Sequence, residues 1–416
     1  MQATRKFGGC PWQQANYNYG DGIIGLHEEI EHFYRYILPT PTEHAVRIEL
    51  VKRIESIIHE LWPQALVEIF GSFRTGLFLP NSDIDLVVLG RWEKLPLRSL
   101  ELELLRRDIV KAGTMHVVDT ALVPIIKFTD SKTQIKLDVS FNISDGIHSA
   151  ELIKTYLRDY PGLGKLVLVL KQFMLQRKLN EAFSGGISSY SLLLMCISFL
   201  QLHPRDNFHA QANLGVLLLE FFELYGIRFN YAQIAISIGD GGCYKRKENT
   251  FIDSRPSALS IDDSLQNGND VARSSFAIVS VRQAFQWAYR VLSQAVNPPG
   301  ECQLRHTATS SSILGCIIQI NDELVDYRAW LHENFDHLVV VEPISSLYGQ
   351  INGAASYVTL ASGAVEQRIY QTQPESVPAA HHLSNASPRQ ESSSSSTEEP
   401  TAAVIVVSSD EMDVCS

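Results

Sequence analysis

The feature that most constrains the fold is a seven-residue run, Ile135-Lys136-Leu137-Asp138-Val139-Ser140-Phe141, in which apolar and polar residues alternate without a break. Successive side chains of a strand point to opposite faces, so Ile135, Leu137, Val139 and Phe141 must enter a core while Asp138 faces the other way, onto a wet side. A second β-branched run, residues 84–89, is entered through Asp83-Ile84-Asp85. Carboxylates at i and i+2 share a strand face, so Asp83 and Asp85 project together while Ile84 packs behind them. Further short strands are expected at Leu66–Phe70 and over residues 123–128. The chain must therefore build a small sheet with one apolar face and one face that gathers carboxylates.

Helical spacing takes over on either side of these strands. In residues 45–62, Leu50, Ile54, Ile57, Ile58 and Leu61 mark an amphipathic helix that Pro63 ends. From about residue 150 the segments 165–179, 190–202 and 213–226 are longer and more apolar, as expected of a mainly helical second domain. Residues 240–275 are loop-rich, and a helical pattern returns over 274–296. Beyond about residue 345 periodicity is lost, and Ser392–Ser396 lies in a Pro-, Ser-, Thr- and Glu-rich stretch that cannot bury enough apolar area to fold alone. The reading is an α+β chain: 1–62, an N-terminal segment and helix packing on the central domain; 63–150, the sheet domain; 151–345, the helical central domain; 346–416, a disordered acidic Ser-rich tail. At 416 residues and 45% hydrophobic content the chain can bury two such cores.

Composition excludes several functions. The longest apolar stretch, Tyr190–Leu202, is short of a bilayer span and contains Ser and Gln, so no membrane association is expected. The N-terminus has no apolar signal-peptide core, which predicts a reducing compartment. Six cysteines are spread without a C-x-x-C pair, against both a disulfide framework and a zinc knuckle. The net charge of −11 opposes a general polyanion-binding surface. Residues 361–416 carry −6 of it, leaving −5 on the body, so any nucleic-acid contact should be a local cleft helped by a partner.

The chemistry rests on Gly71-Ser72, Asp83, Asp85 and Asp138. Carboxylates this close repel unless cations intervene, and phosphoryl-transfer sites place two metal ions about 3.5–4 Å apart between them. Gly71-Ser72 suits a turn whose backbone N–H groups approach phosphate oxygens. The blander reading of Asn81-Ser82-Asp83 is a turn cap, and D-x-D pairs occur by chance. Lys171 interrupts an apolar helix and could reach a triphosphate or simply lie at a solvent edge. Ser189-Tyr190 opens a buried helix, where Ser serves as an N-cap or a phosphate ligand and Tyr as a core residue or a base-stacking surface. Asn269 and Arg273 lie in a Gly- and Asn-rich loop that could bring donors to a base edge.

The string GSFRTGLFLPNSDIDLVV followed by a phased aspartate resembles the nucleotidyltransferase superfamily built on the DNA polymerase β palm. LWPQALVEIFGSF, VPIIKFTD, LVLVLKQFMLQRKLNEAFSGGISSYSL, GVLLLEFFELYG and NDVARSS are similar, more narrowly, to the noncanonical poly(A) polymerases of the nuclear Trf type, over about residues 11–335. The resemblance implies a polymerase β-like palm packed on a helical, PAP-associated domain. It also implies transfer of AMP from ATP to RNA 3′ ends, with Asp83, Asp85 and Asp138 holding Mg²⁺, for which Mn²⁺ can substitute. Nucleotide contacts map by that resemblance to Gly146, Lys171, Ser189, Tyr190, Asn269 and Arg273, beside Gly71 and Ser72 from the turn reading above. The implied setting is the nucleus, nucleolus included, with a cytoplasmic share left open. There an RNA-binding zinc-knuckle protein and an RNA helicase of an exosome-adaptor complex are the expected partners.

Departures from the family pattern at Asp145, Ser264, Asn267 and Ala272 bear on base selectivity. Alternatives are a terminal transferase with uridylyl, guanylyl or mixed preference, and a catalytically weak RNA-complex scaffold. In the tail, Val404-Ile405-Val406-Val407 followed by Ser408-Ser409-Asp410-Glu411 resembles a SUMO-interacting motif, a β-branched run able to add to a sheet edge.

Overall fold

The break between the first two helices shows how local chemistry sets the entry to the fold. Helix α1 spans Gly22–Ile37, and α2 spans Pro41–Leu61. The Thr40 hydroxyl accepts from the Glu43 N–H, and the Glu43 carboxylate accepts from the Thr40 N–H. Pro41 sits in the first turn of α2, where its missing N–H costs nothing. Arg328 locks this corner by pairing with Glu43 at 2.6 Å and donating to the carbonyls of Tyr36 and Leu38.

After α2 the chain forms β1 (Leu66–Phe70), the single-turn helix α3 (Gly71–Thr75), β2 (Ile84–Leu89), α4 (Leu97–Arg106), β3 (His116–Val118), β4 (Ile125–Thr129) and β5 (Lys136–Phe141). These strands make a five-stranded sheet in the order β1-β2-β5-β4-β3, with β2 and β5 parallel and the other pairs antiparallel. Its apolar face shares a core with α2, where Leu50, Ile54 and Ile58 meet Ile84, Leu86, Leu137, Val139 and Phe141.

The helical part follows as α5 (Asp145–Asp159), α6 (Leu163–Gln176), α7 (Ser189–Gln201) and α8 (Leu214–Glu223). A hairpin, β6 (Ile234–Ser237) with β7 (Cys243–Arg246), occupies part of the loop-rich region, and α9 (Ile278–Val296) and α10 (Asp322–Phe335) complete the elements that frame the site. The structure, a computed structural model, describes residues 8–121, 123–204, 212–247, 257–266, 268–298, 312–341 and 358–360. The tail assigned to 346–416 lies almost wholly outside them, as do Asn267 and the Val404–Val407 run. Among the described residues no helix is long and apolar enough to cross a membrane.

The fold is α+β, and β1, β2, β4 and β5 fall within two residues of the expected runs, whereas β3 and the β6–β7 hairpin were not foreseen. Packing departs from expectation in two places. Helices α1 and α2 do not dock on one surface: α1 lies against α6, α8 and α9, whereas α2 is built into the sheet core. Helix α10 returns to the sheet side and contributes Leu331, Tyr327 and Trp330 to that same core. Amphipathicity says that a face is buried but not against what.

Candidate active site

The carboxylates meet through strand register. Asp85 of β2 lies directly opposite Asp138 of β5 in the parallel pair, and Asp83 stands two residues before Asp85 on the same side. The close approach needs Gly71. Its φ is +64°, and a Cβ there would fall 2.1 Å from Asp85 Oδ2, so a side chain is excluded on conformation and on space. Gly146 is excluded from carrying one by space alone, since a Cβ would stand 2.4 Å from the Phe70 ring.

These groups open into a cleft of about 490 Å³ between sheet and helices, lined among others by Gly71, Ser72, Asp83, Asp85, Gly146, Lys171, Ser189 and Tyr190. Eight of the eleven expected polymerase-site residues thus line one cavity. Asp138 lies one strand away, and Asn269 and Arg273 are not among the lining residues. The Asn269 amide donates to Asp263 at 2.8 Å, while Gln266 of the same loop donates to Asp145 at 2.7 Å, tying the loop to the first turn of α5.

Three expectations are corrected. Asp138 is not on a wet face: it is 8% exposed and paired with Lys127, its cross-strand neighbour on β4. As a central strand, β5 has both faces covered, which alternation within one strand does not reveal. Lys171 is not at a solvent edge. It is 7% exposed and its Nζ donates to the Leu77 carbonyl at 2.7 Å. Finally, the N-cap of α7 is Ser188, whose hydroxyl accepts from the Ser191 N–H, and this leaves Ser189 free to line the cleft.

The electrostatics are those of a crowded acidic site backed by buried cations. Burial, with the charges of Asp83 and Asp138, pushes the Asp85 pKa up to about 7. Burial also raises Asp138, against the opposing pull of Lys127. Lys171 is pushed down to about 8 by burial, with Asp83 and Asp85 partly offsetting that shift. Arg47 of α2, buried behind the site, donates to the carbonyls of Pro80 and Ser82 at 2.9 and 2.8 Å and so holds the turn that leads into Asp83. Sequence reasoning missed Arg47 and Lys127, because only strand register and helix docking bring them here. The Tyr190 hydroxyl is buried in the cleft wall; Ser149 lies close enough to bias its titration, but no hydrogen bond of ordinary geometry forms.

Carboxylate oxygens are donors for hard divalent cations, and a site where burial and neighbouring carboxylates push the Asp85 carboxyl up to about 7 fits such ions. Asp83 and Asp85 are placed to hold them. Asp138 meets Lys127 through Oδ2, which leaves Oδ1 to join them. Among the described residues no three His, Cys, Asp or Glu side chains already stand in a metal-holding arrangement.

Paired carboxylates on neighbouring strands, a glycine turn against them and a lysine in the cleft wall define a nucleotidyltransferase. Residues 26–158 match the family description "Poly(A) RNA polymerase, mitochondrial-like, central palm domain", and residues 213–269 match "Cid1 family poly A polymerase". The chain is 42% identical over 344 residues to a Drosophila melanogaster protein described as the inactive noncanonical poly(A) RNA polymerase protein Trf4-2, covering 80% of this chain and 83% of that one. It is 39% identical over 292 residues to poly(A) RNA polymerase cid14 of Schizosaccharomyces pombe, covering 68% of this chain but only 43% of that one. Among solved structures, one described as the polymerase core of TRAMP, an RNA surveillance complex, superposes with TM-score 0.63 at 37% identity, covering 71% of this chain and 94% of that chain. The Cid1 poly(U) polymerase shares the fold, with TM-score 0.55 at 22% identity over 65% of this chain and 95% of that chain. The chain belongs to the Trf4-like noncanonical poly(A) RNA polymerases.

Proposed function

We propose that this chain is a template-independent RNA 3′-end adenylyltransferase that adds AMP from ATP. It acts in the nucleus, nucleolus included, and marks RNAs for exosome processing or decay. The observation that carries the reading is the in-register pair Asp85 and Asp138, with Asp83 on the same side, at one end of a cleft whose wall holds Lys171 and Tyr190. Asp83, Asp85 and Asp138 would hold Mg²⁺, or Mn²⁺ in its place; such ions, when bound, neutralise triphosphate charge and favour the ionised attacking hydroxyl.

The chain's own residues orient the substrates. Gly71 and Ser72 let backbone approach the phosphates, Lys171 supplies positive charge from the wall, and Ser189 with Gly146 closes the opposite side. Tyr190 stacks on the incoming base. Asn269 and Arg273 act at the base edge or the sugar and phosphates once their loop, tied by Gln266 to Asp145, closes over the cleft. Tyr190→Ala should accordingly raise KM for ATP about 5- to 150-fold, the value of one base–aromatic stack, with a smaller change in kcat. An unchanged KM would return Tyr190 to a purely structural role.

The second reading, a catalytically weak scaffold, is favoured by the Lys127–Asp138 pair and by the description of the Drosophila relative as inactive. Primer extension on a short RNA with each of the four NTPs, run beside the double variant Asp83→Ala, Asp85→Ala, separates the readings. Addition of A by the parent chain and none by the variant supports adenylyl transfer; U or G addition shifts the base preference; no addition by either leaves the scaffold.

The charge of the body, −5 once the tail is set aside, implies weak RNA affinity in isolation, and the resemblance to exosome-adaptor polymerases implies stimulation by an RNA-binding zinc-knuckle protein and helicase. Tailing alone should be slow and distributive, with a shallow salt dependence. A steep decline of log affinity with log salt, the mark of many phosphate contacts, would contradict this. The SUMO-interacting reading of Val404–Val407 is tested by titrating a 400–416 peptide into SUMO by NMR; absence of edge-strand shifts removes it.

A further inference from the structure

Phe183, Phe276 and Trp287 are the only exposed Phe or Trp side chains among the described residues, at 99%, 52% and 44% exposure. A phenylalanine open to water on every side adds nothing to the core, and these three rings belong to one region of the surface. Gly185, at φ +83°, lies so close to Phe276 that a Cβ would stand 2.4 Å from its ring. The Ala277 N–H donates to the Gly185 carbonyl at 2.8 Å, which fastens the start of α9 to the 3₁₀ turn Ala182–Ser184 that bears Phe183. On α9, Val279 and Trp287 stand eight residues apart on one exposed stripe. The Arg177 guanidinium is stacked between rings, 3.8 Å from the Phe173 centroid and 4.5 Å from that of Trp287.

The patch continues into the cleft. Asn180 and Glu181, immediately before the Phe183 turn, line the cavity that holds Asp83 and Asp85. Exposed Lys178 and Arg273 stand beside it in the chain, on the turn after α6 and on the loop before Phe276.

We propose that the 3′ end of the RNA enters the site across this rim, its last bases stacking on Phe183 and Phe276 while Lys178 meets the backbone and Arg177, held by the Phe173 and Ile317 carbonyls, stiffens the rim. The inference rests on the RNA-tailing reading of the cleft. Aromatic rings interleaved with cations at a cleft mouth suit single-stranded nucleic acid, because every base offers a π-face whatever its identity. A purely apolar protein partner would not call for stacked guanidinium. The net charge sharpens the point: with few phosphate contacts available, a chain that must hold any 3′ end depends on stacking.

The test uses the full chain and a short oligo(A) RNA carrying 2-aminopurine next to its 3′ terminus, with a 5′ fluorophore for anisotropy. Binding to the parent should quench the aminopurine. Phe183→Ala, whose side chain touches no core, and Phe276→Ala should each weaken RNA binding at least about fivefold and abolish the quench. Phe183→Trp should restore both, and affinity for ATP should not move. RNA affinity within about twofold of the parent in both Ala variants, or a parent complex without quenching, overturns the proposal. A parent that adds no nucleotide yet shows the Phe183-dependent quench removes the catalytic reading and leaves the rim. A parent that tails RNA with unchanged affinity in both variants does the reverse.

Discussion

Single replacements Asp83→Ala, Asp85→Ala and Asp138→Ala should each reduce nucleotide addition to RNA by about 10³-fold or more while leaving the chain folded. The magnitude is that of removing a preorganised charge-stabilising group from a phosphoryl-transfer site. Folding should survive because the carboxylates are in mutual conflict: Asp85 is held partly protonated by burial and by its neighbours. Asp138→Ala leaves Lys127 without its partner, but that side chain is 48% exposed and water can take over the ammonium. Single-turnover extension of a labelled RNA primer measures the loss, and circular dichroism melts check the fold. Activity above about one per cent of the parent in any of the three variants would remove that carboxylate from the site. A loss confined to Asp83 and Asp85 would mean that the Lys127 pair is permanent and that Asp138 is structural.

The second large effect is a pH dependence of stability in the metal-free protein. A carboxyl whose folded pKa is raised from 3.8 to about 7 binds more protons in the native than in the unfolded chain between those values. Stability therefore falls as pH rises through that window. Lys171 acts in the opposite direction at higher pH. With a folded pKa near 8 against 10.5 unfolded, it binds fewer protons in the native state between those values, so stability recovers as pH rises through them. The site's contribution is thus least favourable between about pH 7 and 8. Asp85→Asn should raise the Tm of chelator-treated protein at pH 8 by at least about 3 °C and leave it unchanged near pH 4, each tenfold change in proton affinity being worth about 1.4 kcal/mol. Millimolar Mg²⁺ should abolish the advantage by supplying the missing counter-charge to the parent. A variant no more stable than the parent at pH 8 without metal would mean that the three carboxylates do not crowd one another in solution.

The Drosophila relative described as inactive makes the two measurements complementary. Loss of turnover reports on chemistry, whereas the stability minimum reports on the charge arrangement whether or not the chain turns over. A chain with the minimum but no turnover has an assembled acidic site without the chemistry.

Much of this was decided locally and was therefore legible in the residues. Period-two alternation put Asp138 on a strand opposite the core face, the i, i+2 spacing put Asp83 and Asp85 on one side, and Pro63 set the end of α2 to within a residue, while its capped start at Thr40 went unread. Each of these depends on backbone geometry within a single element. The glycine at position 71 was readable as a turn, but its function was not: the 2.1 Å clash that forbids a side chain there is with Asp85, on another strand. Lys127 was visible only as one cation in VPIIKF until antiparallel pairing set it across from Asp138. Arg47 read as one charge on the polar side of a helix until docking of α2 buried it behind the Pro80–Ser82 turn. Nothing in the local sequence set Phe183 apart; only folding left it outside the core.

The sequence by itself determined which residues are carboxylate and which share a strand face. Tertiary structure alone decided how deeply Asp138 and Lys171 are buried, which cations face the carboxylates, and which aromatic rings stay in water. The physical reason is that periodicity and capping act over one or two turns of chain, whereas burial and counter-charge depend on segments such as Leu77 and Lys171, 94 residues apart, meeting in a single wall.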